Sequence, residues 1–246
     1  MLIFLSLDVS GDMVDYSDMY RNGEYLRKNP TWDVGDSPWK AEQILQMLLE
    51  HNIRACTIGE VGCGAGEILV NLQSAMGGDC VFRGYDISPQ AIELCKPKSN
   101  AKMHFFQRDL LQESDINLDV LLAIDVVEHV EDYLGFLRAI KDKATYKVFH
   151  VPLEFFALST LHSEFLCKQR LNSGHLHYFT KDILLQIFGE LGYDVLDARY
   201  TPGYLVSRGH GWKDDLLYMP RRIGFLLHKD LTVRIFGGYS LLVLAR

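Results

Sequence analysis

The chain has 246 residues, 48% of them hydrophobic and 23% charged, and a formal net charge of −7. That length can bury one full core with an appended lid, and the negative balance argues against a nucleic acid held by general electrostatics. Five scattered cysteines form no Cys-x-x-Cys pair, so neither a disulfide framework nor a thiolate zinc site is expected; reduced thiols and a cytoplasmic setting are.

The opening Met-Leu-Ile-Phe-Leu-Ser-Leu is apolar but short, lacks a basic n-region and meets Asp8 and Asp12. It reads as neither a signal peptide nor a membrane span, and Met13 offers a second start. Residues 1–36 are expected to form an N-terminal arm or helical cap, closing on Asn29-Pro30-Thr31-Trp32. Ser37 is the predicted N-cap of a first helix, with Pro38 at its first position and Ala41, Ile44, Leu45, Leu48 and Leu49 on one face. A strand near 55–61 follows, then a helix from about residue 66 that buries Ile68, Leu69, Leu72 and Met76 and ends at Gly77-Gly78. The second strand is predicted near 80–86, and Ser88-Pro89 opens a helix through about Cys95. Residues 104–107 form the third strand, ending at Asp109. Residues 118–127 are nearly all apolar, as a central parallel strand covered on both faces requires.

Tyr133, Phe136, Leu137 and Ile140 mark the next helix, and 147–151 the fifth strand. Thr180 can cap a helix presenting Ile183, Leu184, Ile187 and Leu191 and stopping at Gly192. Residues 195–200 and 240–245 read as the last two strands. The alternation predicts an α/β fold: a doubly wound, mostly parallel seven-stranded sheet with right-handed crossovers. Residues 37–246 form its domain, and 202–239 make a lid-like insertion before the last strand. From Arg208 onward seven lysines and arginines face three aspartates, with Arg221, Arg222, Lys229 and Arg234 interleaved among apolar residues. Such an insertion suits a phosphate-bearing acceptor, a membrane surface or a partner subunit, or is a surface-charged lid helix.

Residues 58–66 read Ile-Gly-Glu-Val-Gly-Cys-Gly-Ala-Gly, and Asp86 closes the next apolar run. Closely spaced glycines let the chain turn sharply and let a ligand touch bare backbone. An acidic residue ending the second strand is placed to accept hydrogen bonds from a ribose diol. The dinucleotide fingerprint needs glycine at its sixth position, but counting from Gly62 that position is Glu67. Instead Gly62, Gly64 and Gly66 alternate behind Glu60, a carboxylate that suits a cationic cofactor and poorly suits a pyrophosphate.

Over residues 40–246 the chain resembles the class I S-adenosylmethionine-dependent methyltransferases, whose first motif is an acidic residue before Gly-x-Gly-x-Gly. The resemblance implies a Rossmann-like sheet with S-adenosylmethionine as cofactor. Glu60, Gly62, Cys63, Gly64 and Gly66 would surround its methionine portion. Asp86 would take the ribose hydroxyls, with Ile87 against the adenine, and Asp109 would accept from the adenine amino group beside Leu110. Asp109 read without the resemblance is a turn residue. Asp125-Val126-Val127-Glu128-His129 resembles a stretch of the ubiquinone-type O-methyltransferases, with Asp125 near the sulfonium. His129 would be catalytic, deprotonating an acceptor hydroxyl; alternatively Glu128 and His129 pair locally. Trp39, His175, His177 and Tyr178 are the expected substrate-side residues, with His175 and His177 on one face by alternation. Trp32, Trp39 and Lys40 could instead cover the cofactor or serve as staple and core.

Asp125, Glu128 and His129 could also converge on a metal, as in some quinone-pathway and small-RNA 2′-O-methyltransferases, with His175 or His177 as a further ligand. Most relatives with this motif need none, and no metal is expected. No Asn-Pro-Pro-Tyr or Asp-Pro-Pro-Tyr, no Pro-Cys, and no Asp-Asn pair after the fifth strand occurs, which weighs against base-amino, cytosine-C5 and catechol-type acceptors. A small-molecule hydroxyl, of a sugar, nucleotide sugar or phenol, is the expected acceptor. Two other classes share the nucleotide-binding logic: an NAD-dependent oxidoreductase and a non-catalytic cofactor-binding protein.

Overall fold

The computed structural model describes residues 16–32, 34–161, 164–203 and 212–246, without the side chains of 212–215. The apolar opening with Asp8, Asp12 and Met13, and Arg208 in the insertion, lie outside the described residues. Two short helices, α1 (Asp18–Arg21) and α2 (Glu24–Lys28), precede α3 (Ser37–Glu50). There follow β1 (Thr57–Val61), α4 (Glu67–Met76), β2 (Val81–Asp86), α5 (Pro89–Cys95), β3 (Met103–Gln107), β4 (Leu118–Ile124), α6 (Tyr133–Lys141) and β5 (Ala144–Pro152). After β5 come α7 (Ala157–Leu161), α8 (Glu164–Lys168), α9 (Lys181–Glu190), β6 (Val195–Thr201), α10 (Trp212–Leu227), α11 (Lys229–Phe236) and β7 (Ser240–Ala245).

The strands form one seven-stranded sheet in the order β3-β2-β1-β4-β5-β7-β6. β1 to β5 pair in parallel, and β7 runs antiparallel between β5 and β6. Period-two alternation sends Val120, Leu122 and Ile124 of β4 into a core under α3 and α4, while Leu121 and Ala123 join the core under α6 and α9. Each face of the strand is thereby buried, which explains its unbroken apolar run. Strand order reverses between β1 and β4, and crevices at such switch points bind ligands outside the carboxyl ends of the strands.

Three local expectations shift. The fourth strand stops at Ile124, not 127, because Asp125 takes φ +52° and 127–129 coil into a 3-10 turn. Ser37 lies inside α3 rather than capping it; Asp36 precedes it and bonds Lys40 instead of helix N–H groups. The region between β5 and α9, silent in periodicity, holds two five-residue helices and a π turn at Gln169–Ser173. The described part of the insertion is mostly helical. It exposes Leu216, Met219, Ile223, Leu226 and Leu227, yet no helix among the described residues is long and apolar enough to cross a membrane.

Candidate active site

A cavity of about 910 Å³ opens at the switch point. Its floor is the turn after β1, where Gly62, Gly64 and Gly66 take φ of +65°, +52° and +77°. A Cβ on Gly62 would stand 2.7 Å from Val126 Cγ2, and one on Gly66 2.6 Å from the Phe105 ring. Backbone angle and space therefore both demand glycine. Asp86 ties this turn to the next one: Gly64 N–H donates to its Oδ2 at 2.9 Å and Ser88 N–H to its Oδ1 at 2.8 Å. Burial raises the Asp86 carboxyl above its ordinary range, with the two N–H groups working against it.

Glu60, at the end of β1, is 2% exposed, and its Oε2 has no hydrogen-bond partner. Burial pushes its carboxyl well above the usual range, Cys95 and Asp86 add to that, and Lys40 opposes it. Buried Cys63 and Leu110 and half-buried Ile87 and Asp109 continue the wall. The Asp109 carboxylate accepts from Leu111 N–H at 2.9 Å and from Gln112 Nε2 at 3.2 Å, so it holds its own turn while facing the cavity. The N-terminal arm covers this end: Trp32 stands 3.4 Å from where a Cβ on Gly64 would be, and Tyr25 packs on Trp32.

At the far end Asp125 is turned into a buried ionic chain. Its Oδ2 accepts from Lys40 Nζ at 2.6 Å, its Oδ1 lies 2.6 Å from His150 Nδ1, and Lys40 also reaches Asp36 at 2.8 Å. His150 Nε2 continues to Thr201 Oγ1 at 2.9 Å. Burial alone would raise the Asp125 carboxyl, but Lys40 and His150 hold it well below the usual range. Burial would likewise lower the Lys40 ammonium, yet Asp125 and Asp36 keep it above its ordinary value.

Beyond Asp125 lie Glu128, His129 and His175. Glu128 is fully buried and neither carboxylate oxygen has a partner, and burial pushes its carboxyl well up. His129 Nδ1 sits 2.9 Å from the Tyr20 hydroxyl and 3.2 Å from the Gly174 carbonyl. Burial, then the His175 ring, lowers its pKa to about 3. His175 Nδ1 lies 2.7 Å from Glu154 Oε2, and Gln169 donates to the other oxygen of Glu154.

The structure thus brings Glu60, the three glycines, Cys63, Asp86, Ile87, Asp109, Leu110, Asp125, His129, Trp39 and His175 to one cavity. His177 and Tyr178 are not among its lining residues. Leu176 and His177 both give their N–H to the Glu128 carbonyl, at 2.7 and 3.1 Å, so the chain bends instead of alternating. His177 then points to the Glu131 carbonyl and Tyr178 to that of Leu166. Three of the insertion's described cations are engaged elsewhere: Arg221 is buried against the Phe236 carbonyl, Arg234 pairs with Asp182 and Lys229 covers Phe225. Sequence reasoning passed over Tyr20, His150 and Glu154. His150 carried the best signal, a histidine at the carboxyl end of a central strand, in register with Ile124.

An open sheet with this strand order and a glycine-floored cavity at its switch point defines a class I, nucleotide-cofactor α/β fold. The family described as methyltransferase domain matches residues 40–198, and the chain belongs to it. It is an S-adenosylmethionine-dependent methyltransferase. Curated proteins gave no match. Among solved structures, the Haloferax volcanii complex of the Trm112 methyltransferase activator with a methyltransferase contains a chain of TM-score 0.63 at 14% identity, covering 94% of this chain and 96% of that one. The plantazolicin methyltransferase BpumL gives 0.60 at 16% identity, covering 94% and 92%. Magnesium protoporphyrin IX methyltransferase from Synechocystis PCC 6803 gives 0.58 at 15% identity, covering 96% and 89%. These likenesses are of fold.

The residues fit the cofactor. A buried carboxyl with an unpartnered oxygen suits a cation, the glycine floor admits a ligand where any Cβ would intrude, and each Asp86 oxygen keeps a lone pair for a ribose hydroxyl. Bound there, S-adenosylmethionine supplies a methyl group already activated by its sulfonium.

Proposed function

We propose that the chain methylates a hydroxyl of a small molecule, a sugar, nucleotide sugar or phenol, with an amine the second choice. The observation that supports this most directly is the continuity of the cavity. One space of about 910 Å³ joins the glycine floor to the Glu128–His129–His175 end, leaving room for an acceptor beside the cofactor. Glu60 and the glycines hold the methionine portion, Asp86 the ribose, and Ile87, Asp109 and Leu110 the adenine. The Tyr20 hydroxyl and the Gly174 carbonyl both meet His129 at Nδ1, leaving Nε2 as the nitrogen to receive an acceptor's O–H. His129 with a pKa of about 3 is neutral at working pH: it can accept a hydrogen bond and orient the acceptor, but it is a weak proton sink. The engagement of Arg221, Lys229 and Arg234 away from the cavity supports a sugar or phenol over a nucleotide sugar. The Asp125-x-x-Glu128-His129 stretch supports a kinship with the ubiquinone-type enzymes. Five free cysteines accord with a reducing, cytoplasmic setting.

The test is incubation of methyl-labelled S-adenosylmethionine with a panel of sugars, nucleotide sugars, phenols and amines. Label in a sugar or phenol ether is the expected result; label in amines alone would overturn the oxygen reading. S-adenosylhomocysteine should raise the melting temperature and NAD should not.

Cofactor binding should also release a proton. Without ligand the Glu60 carboxyl titrates well above its ordinary range of about 4.3. A cation beside it favours the carboxylate, so S-adenosylmethionine affinity rises with pH between the ordinary and the raised value. The ligand-free fold shows the opposite sign. There the native state keeps a proton the unfolded chain has lost, and stability falls as pH climbs through that window. Calorimetry in buffers of different ionisation enthalpy should read up to about one proton released per site. Glu60→Gln should abolish the release; an unchanged release would assign it to another group such as Asp86.

A further inference from the structure

We propose that Trp32, from the N-terminal arm, selects the amino-acid end of the cofactor by donating its indole Nε1–H to the α-carboxylate. Five buried side-chain atoms have no hydrogen-bond partner among the described residues: Trp32 Nε1, Asp36 Oδ1, Glu60 Oε2 and both Glu128 oxygens. Their four residues line the same cavity. The carboxylate oxygens can be answered by a cation or a proton, but an indole N–H can only donate. A buried donor with no acceptor is costly, so its place in the wall calls for a ligand that brings one.

The backbone supplies a second, independent sign. Trp32 takes φ +48°, in the left-handed region that bulky side chains rarely enter. Such a conformation persists only where its surroundings impose it, and it clusters at ligand sites. Here the surroundings are on hand. Trp32 N–H donates to the Asn29 carbonyl at 3.0 Å, and the Tyr25 ring packs on the indole with centroids 5.0 Å apart. Lys28 and Asn29 then tie the arm to the turn before α9, donating to the Leu171 and Asn172 carbonyls at 3.0 and 3.3 Å. The outcome is an indole fixed above the glycine floor, with its Cε3 3.4 Å from where a Cβ on Gly64 would stand.

The chemistry of the cofactor says which of its groups the N–H suits. S-adenosylmethionine brings a sulfonium and an ammonium, which the free oxygens of Glu60 and Asp36 attract. It also brings one anion, the α-carboxylate, which those same oxygens repel. Lys40 gives two of its three N–H groups to Asp36 and Asp125, and its charge is already answered by them. A hydrogen bond to a carboxylate is also stronger than one to a neutral ribose oxygen, so the carboxylate gains most from the indole. Trp32 thereby distinguishes an intact amino acid from its decarboxylated counterpart. The assignment rests on S-adenosylmethionine as cofactor and is independent of the methyl acceptor.

Titration calorimetry on the full chain should compare S-adenosylhomocysteine with 5′-deoxy-5′-(3-aminopropylthio)adenosine, which keeps the adenosine, sulfur and amine but lacks the carboxylate. Wild type should bind the first about 10-fold more tightly or better. Trp32→Phe removes the N–H and keeps an aromatic ring. It should weaken S-adenosylhomocysteine about 10-fold and leave the decarboxylated compound within about twofold of its wild-type affinity. A wild type that binds both compounds alike overturns the assignment without recourse to any variant. Equal weakening of both by Trp32→Phe also overturns it, since the indole would then serve the adenosine or the packing of the arm. An S-adenosylhomocysteine affinity untouched by the substitution does the same. Failure of the wild type to bind either compound would strike the cofactor itself, an outcome distinct from the other three.

Discussion

Asp86→Ala is expected to weaken S-adenosylhomocysteine binding about 100-fold and to destabilise the ligand-free fold by about 2 kcal/mol. Both effects come from one carboxylate working in two directions. Within the protein it accepts N–H bonds from Gly64 and Ser88, tying the turn after β1 to the turn after β2. Truncation leaves two turn N–H groups without their acceptor, hence the stability term. Toward the cavity its remaining lone pairs are offered to the ribose hydroxyls. Two hydrogen bonds to a charged acceptor contribute about 1.5 kcal/mol each or more, and every 1.4 kcal/mol is tenfold in affinity. Asp86→Asn separates the roles poorly, because its NH₂ would face an N–H donor. Titration calorimetry and urea unfolding on the alanine variant supply the two readouts. Affinity within about threefold of wild type, with the stability loss intact, would reduce Asp86 to a clasp between loops.

The sheet and the cofactor end were readable from the chain because their causes are local. β4 is buried on both faces and therefore apolar at nearly every position, and the glycine turn needs three residues without a Cβ. Ser88 and Thr180, predicted at helix starts, do accept from Ala91 N–H and Ile183 N–H. The acceptor end was read less well, since its partners come from distant segments with no period to announce them. Tyr20 reaches His129 across 109 positions, and Lys40 reaches Asp125 across 85. His177 and Tyr178 show how a motif in register can still mislead. Alternation assumes an extended backbone, but the Glu128 carbonyl takes two consecutive N–H groups and rotates the following side chains out of the cavity.

Asp125→Asn is the second large effect: a stability loss of about 3 kcal/mol, with most of it recovered when Lys40→Met is added. Asparagine tolerates the left-handed conformation at φ +52° nearly as well as aspartate does, so the substitution removes charge and leaves backbone strain almost unchanged. What it strands is Lys40, whose side chain is only 11% exposed and would keep Asp36 alone as a charged partner. Breaking a buried pair from one side costs more than the pair is worth, because the remaining charge is left in a poor solvent. Replacing the ammonium with an apolar chain of similar length removes that penalty, so the double variant should lie well above the sum of the single losses. The pH dependence has two edges. Asp125, with its carboxyl held low, contributes stability that is present above about pH 4 and lost as pH falls through its native value. Lys40, held high, contributes stability that is present below about pH 10 and lost as pH rises through its native value. Between those edges the contribution is flat, and Asp125→Asn should remove it without tilting the plateau. A coupling energy near zero in the cycle, measured by urea unfolding at neutral pH, would mean that His150 and solvent carry Asp125 and that Lys40 is indifferent to it.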